Sequence, residues 1–360
     1  MEEFIDEEQP DGIKIKGFIK NNVLEGFGIL IYPSGDIYKG EFKNGRQDGY
    51  GILNLNNGTK YEGQFKDDKF NGYGKVYFEN GNIYEGEFKD NDLDGIGIHK
   101  DPEGKIYQGT YKNNKEDGIC KIKYSSGNIY EGEKKDDIKN VYGIFYFPNG
   151  NIYEGEFRNN KYEGFGYFRD NVNGTTYFGE YKSGKQNGFG ILTTKNFKYI
   201  GQFKDKKKHG YGKIEYNNNN KYQGEFFEGQ YNGYGIYTFY DGNQYEGEFE
   251  NSDKKGIGIF KFHWGDIFKG EFDDDKRNGI GMYKAVNGDI YKGEAKDDLM
   301  HGFGEIKLNN GEKYEGEFQY GQKTGYGKYT RPDGTIEEKI FQYNPFMQNV
   351  FDDLEDLIFG

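Results

Sequence analysis

Variants of the segment Tyr84-Glu85-Gly86-Glu87-Phe88 recur at a nearly constant spacing along the chain. The nearest copies begin at Tyr153, Tyr245 and Tyr314. Fourteen copies align, and their first residues are Ile15, Tyr38, Tyr61, Tyr84, Tyr107, Tyr130, Tyr153, Tyr177, Tyr199, Tyr222, Tyr245, Phe268, Tyr291 and Tyr314. Every spacing is 23 residues, except for 24 before Tyr177 and 22 after it. A fixed period of this length is typical of a stacked repeat array rather than of a globule around a pocket.

Each copy opens with an alternating pattern, which we number from its first residue as offset 0. Offset 2 is glycine in all fourteen copies, and offset 4 is usually aromatic, as in Phe42, Phe88 and Tyr111. A two-residue period with Tyr, Gly and an aromatic residue on one face predicts a β-strand. Because glycine weakens a strand, its presence in every copy predicts that a bulky group, such as a neighbouring ring, covers the bare backbone.

The second half of each copy predicts a second strand. It reads Gly-bulky-Gly followed by an alternating run, as in residues 72–78 and 233–239. Polar segments such as residues 44–48 separate the two strands, and pairs such as Asn57-Gly58 separate the copies. Asn and Gly accept the positive φ that tight hairpins require, so each copy is expected to be one β-hairpin.

Stacking these hairpins predicts an all-β fold, an elongated single-layer antiparallel β-meander of 28 strands that curves because sheets twist. We divide the chain into an acidic N-terminal tail (1–14), the repeat array (15–336) and an acidic C-terminal extension (337–360). The last part includes a predicted short amphipathic helix.

Composition favours a folded cytoplasmic protein. Hydrophobic residues make up only 33% of the chain, but aromatic residues reach 18%, which a disordered chain lacks. The single cysteine, Cys120, allows no internal disulfide, and the acidic N-terminus predicts no signal peptide. The net charge of −13 argues against nucleic-acid binding.

The repeat pattern resembles the MORN repeat (membrane occupation and recognition nexus), whose consensus approximates Tyr-Glu-Gly-Glu-Phe, a polar turn, Gly-Tyr-Gly and a closing Asn-Gly or Asp-Gly. The resemblance covers residues 15–336. It implies an array of hairpins with an aromatic-lined groove. Some members of the family precede a lipid kinase or a SET methyltransferase domain, but the 24 residues after this array are too few for either.

Four residues depart from the family pattern. Cys120 replaces the second Gly of repeat five, Val141 the first Gly of repeat six and Lys134 its Phe, while Ala295 replaces the Phe of repeat thirteen. Repeats five and six are therefore adjacent irregularities. Two interpretations stay open, tolerated drift with a local change in twist, or a bend or partner notch around residues 118–141.

The sequence gives little support for catalysis, and we expect no catalytic residues, no cofactor and no metal. The Gly-x-Gly segments lie inside predicted strands and open no helix, so they do not predict a phosphate loop. Four histidines lie in separate repeats. Residues 273–279 are acidic, but Arg277 occupies a would-be ligand position, which favours a solvated turn over a calcium loop.

Aromatic rows at offsets 0, 4 and 12 are the main predicted binding feature. Most of these rings are expected to cover glycine, but a single-layer sheet is expected to leave some exposed in a groove for a peptide or helix. The partner-binding candidates are Tyr50, Tyr73, Tyr142, Phe165, Phe189, Tyr211, Tyr234, Phe303 and Tyr326.

Two further features have alternative interpretations. Offset 5 is basic in repeats one to nine, and Lys206, Lys207 and Lys208 add a cluster, which predicts either contact with anionic lipid or a solvated strand face. The C-terminal extension places five apolar residues near one helical face, which predicts either a cap on the last strand or a docking segment. These residues are Phe346, Val350, Leu354, Leu357 and Ile358.

The leading hypothesis is a non-catalytic scaffold that holds protein partners, or a second copy of itself, in a cytoskeletal assembly. The resemblance implies a ciliary radial spoke of the axoneme, or a cortical structure of a protist. The alternatives are a peripheral membrane tether that binds anionic lipid through the basic residues, and an accessory subunit that localises a separate enzyme.

Overall fold

The computed structural model describes residues 3–345, and within them the chain forms only strands, turns and connecting segments. The described part has 30 strands, and within each of the two units described below they pair with their neighbours in antiparallel orientation. Across the same residues, no helical segment has the length and apolarity that a bilayer crossing needs. The chain divides into two compact units, residues 1–184 and 185–360.

In the first unit, each strand pairs with the next one along the chain, from β1 to β16. These strands are β1 Glu3–Glu8, β2 Lys14–Lys20, β3 Val23–Ile31, β4 Ile37–Lys43, β5 Arg46–Asn54, β6 Lys60–Lys66, β7 Lys69–Tyr77, β8 Ile83–Lys89, β9 Asp92–Lys100, β10 Ile106–Lys112, β11 Lys115–Lys123, β12 Ile129–Lys135, β13 Ile138–Tyr146, β14 Ile152–Arg158, β15 Lys161–Asp170 and β16 Thr175–Lys182.

The second unit repeats the same meander from β17 to β30. Its strands are β17 Lys185–Thr193, β18 Phe197–Lys204, β19 Lys207–Tyr216, β20 Lys221–Phe227, β21 Gln230–Thr238, β22 Gln244–Glu250, β23 Asp253–Lys261, β24 Ile267–Asp273, β25 Lys276–Lys284, β26 Ile290–Lys296, β27 Leu299–Lys307, β28 Lys313–Gln319, β29 Gln322–Thr330 and β30 Ile336–Phe341. Strands β2–β29 are the 28 predicted strands, which confirms the all-β hairpin fold.

Two strands lie beyond the predicted 28. β1 pairs with β2, where Phe4 lies opposite Phe18 and the ring centroids are 5.4 Å apart. β30 pairs with β29 and ends the described sheet of the second unit. Glu3–Glu8 lies in the segment predicted to be a tail, and neither of these strands was predicted from the sequence. The predicted C-terminal helix lies outside the described residues.

Tyrosine rings cover the strand glycines, as the pattern predicted. The ring of Tyr38 lies over both Gly40 and Gly51, which face each other across β4 and β5. Its hydroxyl donates a hydrogen bond to the carbonyl oxygen of Glu41 at 3.0 Å. The same ring makes edge contacts with Phe42 of its own repeat at 5.1 Å and with Phe65 of the next repeat at 4.9 Å. These contacts join successive hairpins through one aromatic layer.

A bulge and a tight turn shape the repeat hairpin, as β4 and β5 show. The turn between β4 and β5 has two residues, Asn44 and Gly45, both with positive φ as in a type I′ turn. It is shorter than the predicted polar segment 44–48, because Arg46 already begins β5. The register shifts between Gly40 and Phe42, and Gly49 at offset 11 of the same repeat has a φ of 111°. The bulge changes which face the following side chains occupy.

Candidate binding surfaces

The aromatic rows lie on two opposite faces of the sheet. Offsets 0 and 4 lie on what we call the packed face, where Tyr38 and Phe42 are buried. Offset 12 lies on the other face, which we call the open face, because Tyr50 is a neighbour of Gly51 in β5 and Gly51 faces Tyr38. The three rows, which share one periodic pattern in the sequence, are therefore separated by the fold into two buried rows and one exposed row.

The open face carries one exposed bulky side chain per repeat, a set that we call the open-face row. The exposed fraction of these fourteen side chains runs from 50% at Tyr142 to 74% at Ile119. In the first unit they are Phe27, Tyr50, Tyr73, Ile96, Ile119, Tyr142 and Phe165. In the second unit they are Phe189, Tyr211, Tyr234, Ile257, Ile280, Phe303 and Tyr326. All nine predicted partner-binding residues therefore lie on the exposed side.

Hydrogen bonds fix several rings of the open-face row. The hydroxyl of Tyr73 donates to Oε1 of Glu85 on the next strand at 2.9 Å, and this bond raises the pKa of Tyr73. Tyr142 and Tyr234 make the same bond to Glu154 at 2.7 Å and to Glu246 at 2.9 Å. A ring held in this way loses little conformational entropy when a partner covers it.

A Glu or Gln side chain at offset 3 holds the backbone beneath this row in place. Oε1 of Glu156 accepts a hydrogen bond from the backbone N–H of Phe165 at 3.1 Å, and Oε1 of Gln64 accepts the equivalent bond from Tyr73 at 2.8 Å. These donors belong to the bulged strand, where the backbone N–H lacks a ladder partner. The side chain at offset 3 therefore stabilises the backbone that presents the exposed ring at offset 12.

The packed face has an apolar depression in the first unit. Its volume is about 380 Å³, and its lining includes Leu53, Leu55, Phe70, Val76, Phe78 and Leu93. These side chains come from offsets 9, 15 and 17, which vary from repeat to repeat, whereas offset 0 beneath them is Tyr in all repeats except those that begin at Ile15 and Phe268. The packed face therefore has a nearly constant inner layer of rings and a variable outer layer of side chains.

Repeats five and six replace aromatic packing with a buried ion pair. Nζ of Lys134, at the position of the usual Phe, contacts the carboxylate of Glu116, and both side chains are buried. Nζ of Lys105 lies 3.7 Å from the same carboxylate. Cys120 is buried beside Tyr107, and its burial raises the pKa of its thiol to about 11. Strand pairing continues from β11 to β13 through these residues.

The three predicted lipid-binding lysines point in different directions. Lys206 lies in the turn between β18 and β19, and Lys207 forms an ion pair with Glu228. Nζ of Lys208 lies 5.2 Å from the ring centroid of Phe197 on the packed face. The basic residues at offset 5, which are separate from this cluster, are exposed: Lys20, Lys43, Lys66, Lys89, Lys112, Lys135, Arg158, Lys182 and Lys204.

The predicted C-terminal docking or capping residues lie outside the described part of the chain. They are Phe346, Val350, Leu354, Leu357 and Ile358. Within residues 3–345, no group of three or more His, Cys, Asp or Glu side chains is arranged to hold a metal ion.

Comparison with known proteins identifies the repeat. A family model described as MORN repeat matches fourteen consecutive segments of the chain. These are residues 16–37, 38–60, 61–83, 84–105, 107–129, 130–152, 153–174, 177–196, 199–221, 222–244, 245–267, 268–290, 291–313 and 314–336. None of the curated proteins compared with the chain matches it.

Solved structures give only distant likenesses. The TCP domain of SAS-4 (dCPAP) from Drosophila melanogaster, in complex with a proline-rich motif of Ana2 (dSTIL), is 18% identical, with a TM-score of 0.29 and coverage of 45% of this chain and 88% of its own. The CPAP G-box domain is 11% identical, with a TM-score of 0.22 and coverage of 69% and 100%. Virginiamycin B lyase from Staphylococcus aureus is 15% identical, with a TM-score of 0.14 and coverage of 83% and 86%. Scores this low carry no functional argument.

Proposed function

The chain belongs to the MORN-repeat family, and from this premise we propose that it is a non-catalytic scaffold that holds protein partners along its open-face row. MORN repeats are typical of proteins that bind other proteins or associate with membranes. The observation that supports a protein partner is the row itself, one exposed bulky side chain in each of fourteen repeats. Aromatic and apolar side chains that stay exposed in a regular row favour a protein contact over free solvent.

The row offers contacts of two kinds. Tyr50, Tyr73 and Tyr142 present rings fixed by a neighbouring carboxylate, whereas Ile96 and Ile119 present unbonded apolar surface. Neighbouring members of the row are two strands apart, or about 10 Å at the usual strand spacing. A partner that binds several members at once gains from each added contact without ordering the scaffold further.

The cellular setting of this scaffold is the finer part of the proposal. We propose a cytoplasmic, cytoskeletal assembly, either the radial spokes of a ciliary axoneme or the cell cortex, because MORN-only arrays resemble components of such structures. Tagging the protein at its endogenous level and imaging it against a tubulin or cortical marker tests this part. A diffuse signal that detergent extracts completely would reject it.

The binding role is tested by a variant of the row in one unit. We expect Tyr50→Ser, Tyr73→Ser, Tyr142→Ser and Phe165→Ser, combined, to remove most partners captured with the tagged wild-type chain. The control combines Val172→Ser, Tyr240→Ser and Val286→Ser, which remove even more exposed apolar side chains in the turns between repeats. Equal capture by the row variant and the control, with unchanged circular dichroism, would reject the row as the binding surface.

A membrane tether is the second candidate, and the exposed basic residues at offset 5 favour it. All of these residues except Lys204 lie in the first unit, where a row of positive charges suits contact with anionic lipid. The cluster at 206–208 contributes less to lipid binding, because Lys207 already forms an ion pair and Lys208 lies among rings of the packed face.

Flotation with neutral and anionic vesicles at two salt concentrations distinguishes the tether from the protein scaffold. Salt-sensitive flotation that Lys43→Glu, Lys66→Glu and Lys89→Glu abolish would support the tether.

A further inference from the structure

Five repeats place a cation at offset 9 of the packed face, among aromatic rings. Nζ of Lys139 lies 4.9 Å from the ring centroid of Tyr130 and 5.1 Å from that of Phe145. Nζ of Lys208 lies 5.2 Å from Phe197 and 5.3 Å from Phe226. The other three cations are Lys254, Arg277 and Lys323. Ring faces attract a cation, but they do not replace a counter-ion.

The repeat has a built-in counter-ion position for this cation, at offset 7 of the following repeat. Asp275 occupies it for Lys254, with Nζ and Oδ1 3.4 Å apart, and Asp298 occupies it for Arg277, with Nε and Oδ1 2.9 Å apart. In both pairs the acid stands 21 residues after the cation. The carboxylate also accepts the backbone N–H of the cationic residue, so one side chain satisfies two donors.

Lys139 and Lys208 lack that counter-ion. Twenty-one residues after them stand Asn160 and Gly229, neither of which carries a charge. Asn160 accepts the backbone N–H of Lys139 at 3.0 Å, so the hydrogen bond of the position is kept and only the charge is missing. Neither lysine forms an ion pair with any residue between 3 and 345. Lys323 differs from both, because its Nζ donates to the hydroxyl of Tyr329 at 2.9 Å.

The surroundings of Lys139 add positive charge. The positively charged groups that act on it are Lys134 and Lys105, and both of these lysines already share the carboxylate of Glu116. Burial, followed by the charge of Lys134, lowers the pKa of Lys139 to about 8. Lys208 has a pKa that burial alone lowers. Each ammonium is thus partly desolvated without compensation, which is the condition that an incoming anion relieves.

We propose that Lys139 and Lys208 each form a docking site for the acidic C-terminal segment, residues 346–360, of a second copy of this chain. The segment places Asp352, Asp353, Glu355 and Asp356 between apolar residues and carries no basic side chain. Carboxylates flanked by apolar side chains match an ammonium ringed by aromatic side chains.

Chain length favours a second copy over the same one. Asp356 follows Pro345 by eleven residues, so its Cα lies no further than about 40 Å from the end of the described chain. Within the second unit, β19, which begins at Lys207, lies eleven strands before β30, or about 53 Å at the usual strand spacing. The segment of a second copy is not limited by this reach, because it is not tethered to the same β30. A flat bilayer surface is a poorer occupant, because both ammoniums are recessed among rings that a lipid headgroup would have to enter.

The decisive variant supplies the missing counter-ion without touching either lysine. Asn160→Asp and Gly229→Asp place a carboxylate where Asp275 and Asp298 stand, and the first change keeps an oxygen that accepts the backbone N–H of Lys139. The matched control is Asn91→Asp, which adds the same charge at the same offset beside Phe70, where no cation needs it. Sedimentation velocity of the full-length chain, over a wide concentration range, measures self-association.

We expect the wild-type chain and Asn91→Asp to self-associate equally, and salt to weaken both. The double variant is expected to weaken self-association at least about tenfold, as are Asp352→Asn, Asp353→Asn, Glu355→Gln and Asp356→Asn combined. A synthetic peptide of residues 346–360 should compete for the wild type alone. A monomer at every concentration, or association that the double variant leaves unchanged, overturns the proposal. Recruitment of anionic vesicles by the wild type but not by the double variant would overturn it too, in favour of a lipid headgroup.

Discussion

The ring of Tyr38 lies so close to the backbone of Gly51 that a methyl group on Gly51 would stand 2.5 Å from ring atom Cε2. The same relationship recurs between Tyr61 and Gly74, and between Tyr84 and Gly97. Each ring takes the place that a side chain on the facing strand would otherwise fill. The glycines are therefore the means by which a single-layer sheet acquires a buried core.

Replacing such a glycine should cost more than replacing a glycine in a turn. The methyl group of Gly51→Ala would displace the Tyr38 ring from the glycine backbone against which it packs. We expect a loss of about 1–3 kcal/mol in the free energy of unfolding. Gly58→Asn is the control, since Asn219 already takes positive φ in the corresponding turn and nothing lies within 4 Å of a Cβ at Gly58. Urea unfolding followed by circular dichroism compares the two. A smaller loss for Gly51→Ala than for Gly58→Asn would contradict the role of the ring.

The buried tyrosines predict unfolding at high pH. Burial is the main cause that raises the pKa of the offset-0 hydroxyls at Tyr38, Tyr61, Tyr84, Tyr107, Tyr130, Tyr153, Tyr199, Tyr222, Tyr245, Tyr291 and Tyr314. Because the folded-state pKa of each lies above the ordinary value near 10, the folded state keeps protons that the unfolded state releases. Their contribution to stability is complete below about pH 10 and is lost as the pH rises through the folded-state values.

This prediction is checked by following tyrosinate absorbance and circular dichroism together in an alkaline titration. The exposed tyrosines of the open-face row should ionise first, and the buried ones should ionise only as the β-sheet signal disappears. Ionisation of all tyrosines in one step, with the sheet signal intact, would show that the offset-0 rings are accessible.

Alternation and spacing were enough to predict the hairpins, but not the side of the sheet on which each row lies. The bulge at Gly49 breaks the two-residue alternation, so the face of Tyr50 cannot be counted from Tyr38 without the strand register. The three lysines at 206–208 read as one patch because they are adjacent in sequence, yet adjacent strand residues point to opposite faces. β1 and β30 were not predicted, because neither strand has the Gly-aromatic pattern of the repeats.

The ion pair of Lys134 and Glu116 should be replaceable by the aromatic pair of a regular repeat. Phe88 and Phe70 occupy the corresponding positions, with ring centroids 5.9 Å apart. Lys134→Phe alone leaves the buried Glu116 with Lys105 as its remaining ion-pair partner, and Glu116→Phe alone leaves Lys134 without its carboxylate. We expect each single change to cost about 3–5 kcal/mol and the double change to be neutral or stabilising.

Chemical denaturation of the four proteins gives the coupling free energy between these two positions. The Lys105→Met variant serves as a further control, because Glu116 still forms its ion pair with Lys134 in that variant. Additive losses in the double variant would show that the two side chains do not depend on each other, and would contradict the pairing.

The thiol of Cys120 should be unreactive while the chain is folded. It is buried at a position where the other repeats carry glycine, and burial raises its pKa to about 11 from an ordinary value near 9. At pH 8 the folded chain then holds about a hundredfold less thiolate than the unfolded chain, and only the thiolate attacks a disulfide reagent. We expect labelling by an aromatic disulfide to be slow in buffer and to accelerate in urea in parallel with the loss of the sheet signal.

The control is Ser126→Cys in a Cys120→Ser background, which places a thiol in the exposed turn after β11 and should react at once. Rapid labelling of Cys120 in buffer, at a rate near that of the control, would mean that repeat five opens without global unfolding. That result would favour a bend or partner notch at residues 118–141 over tolerated drift.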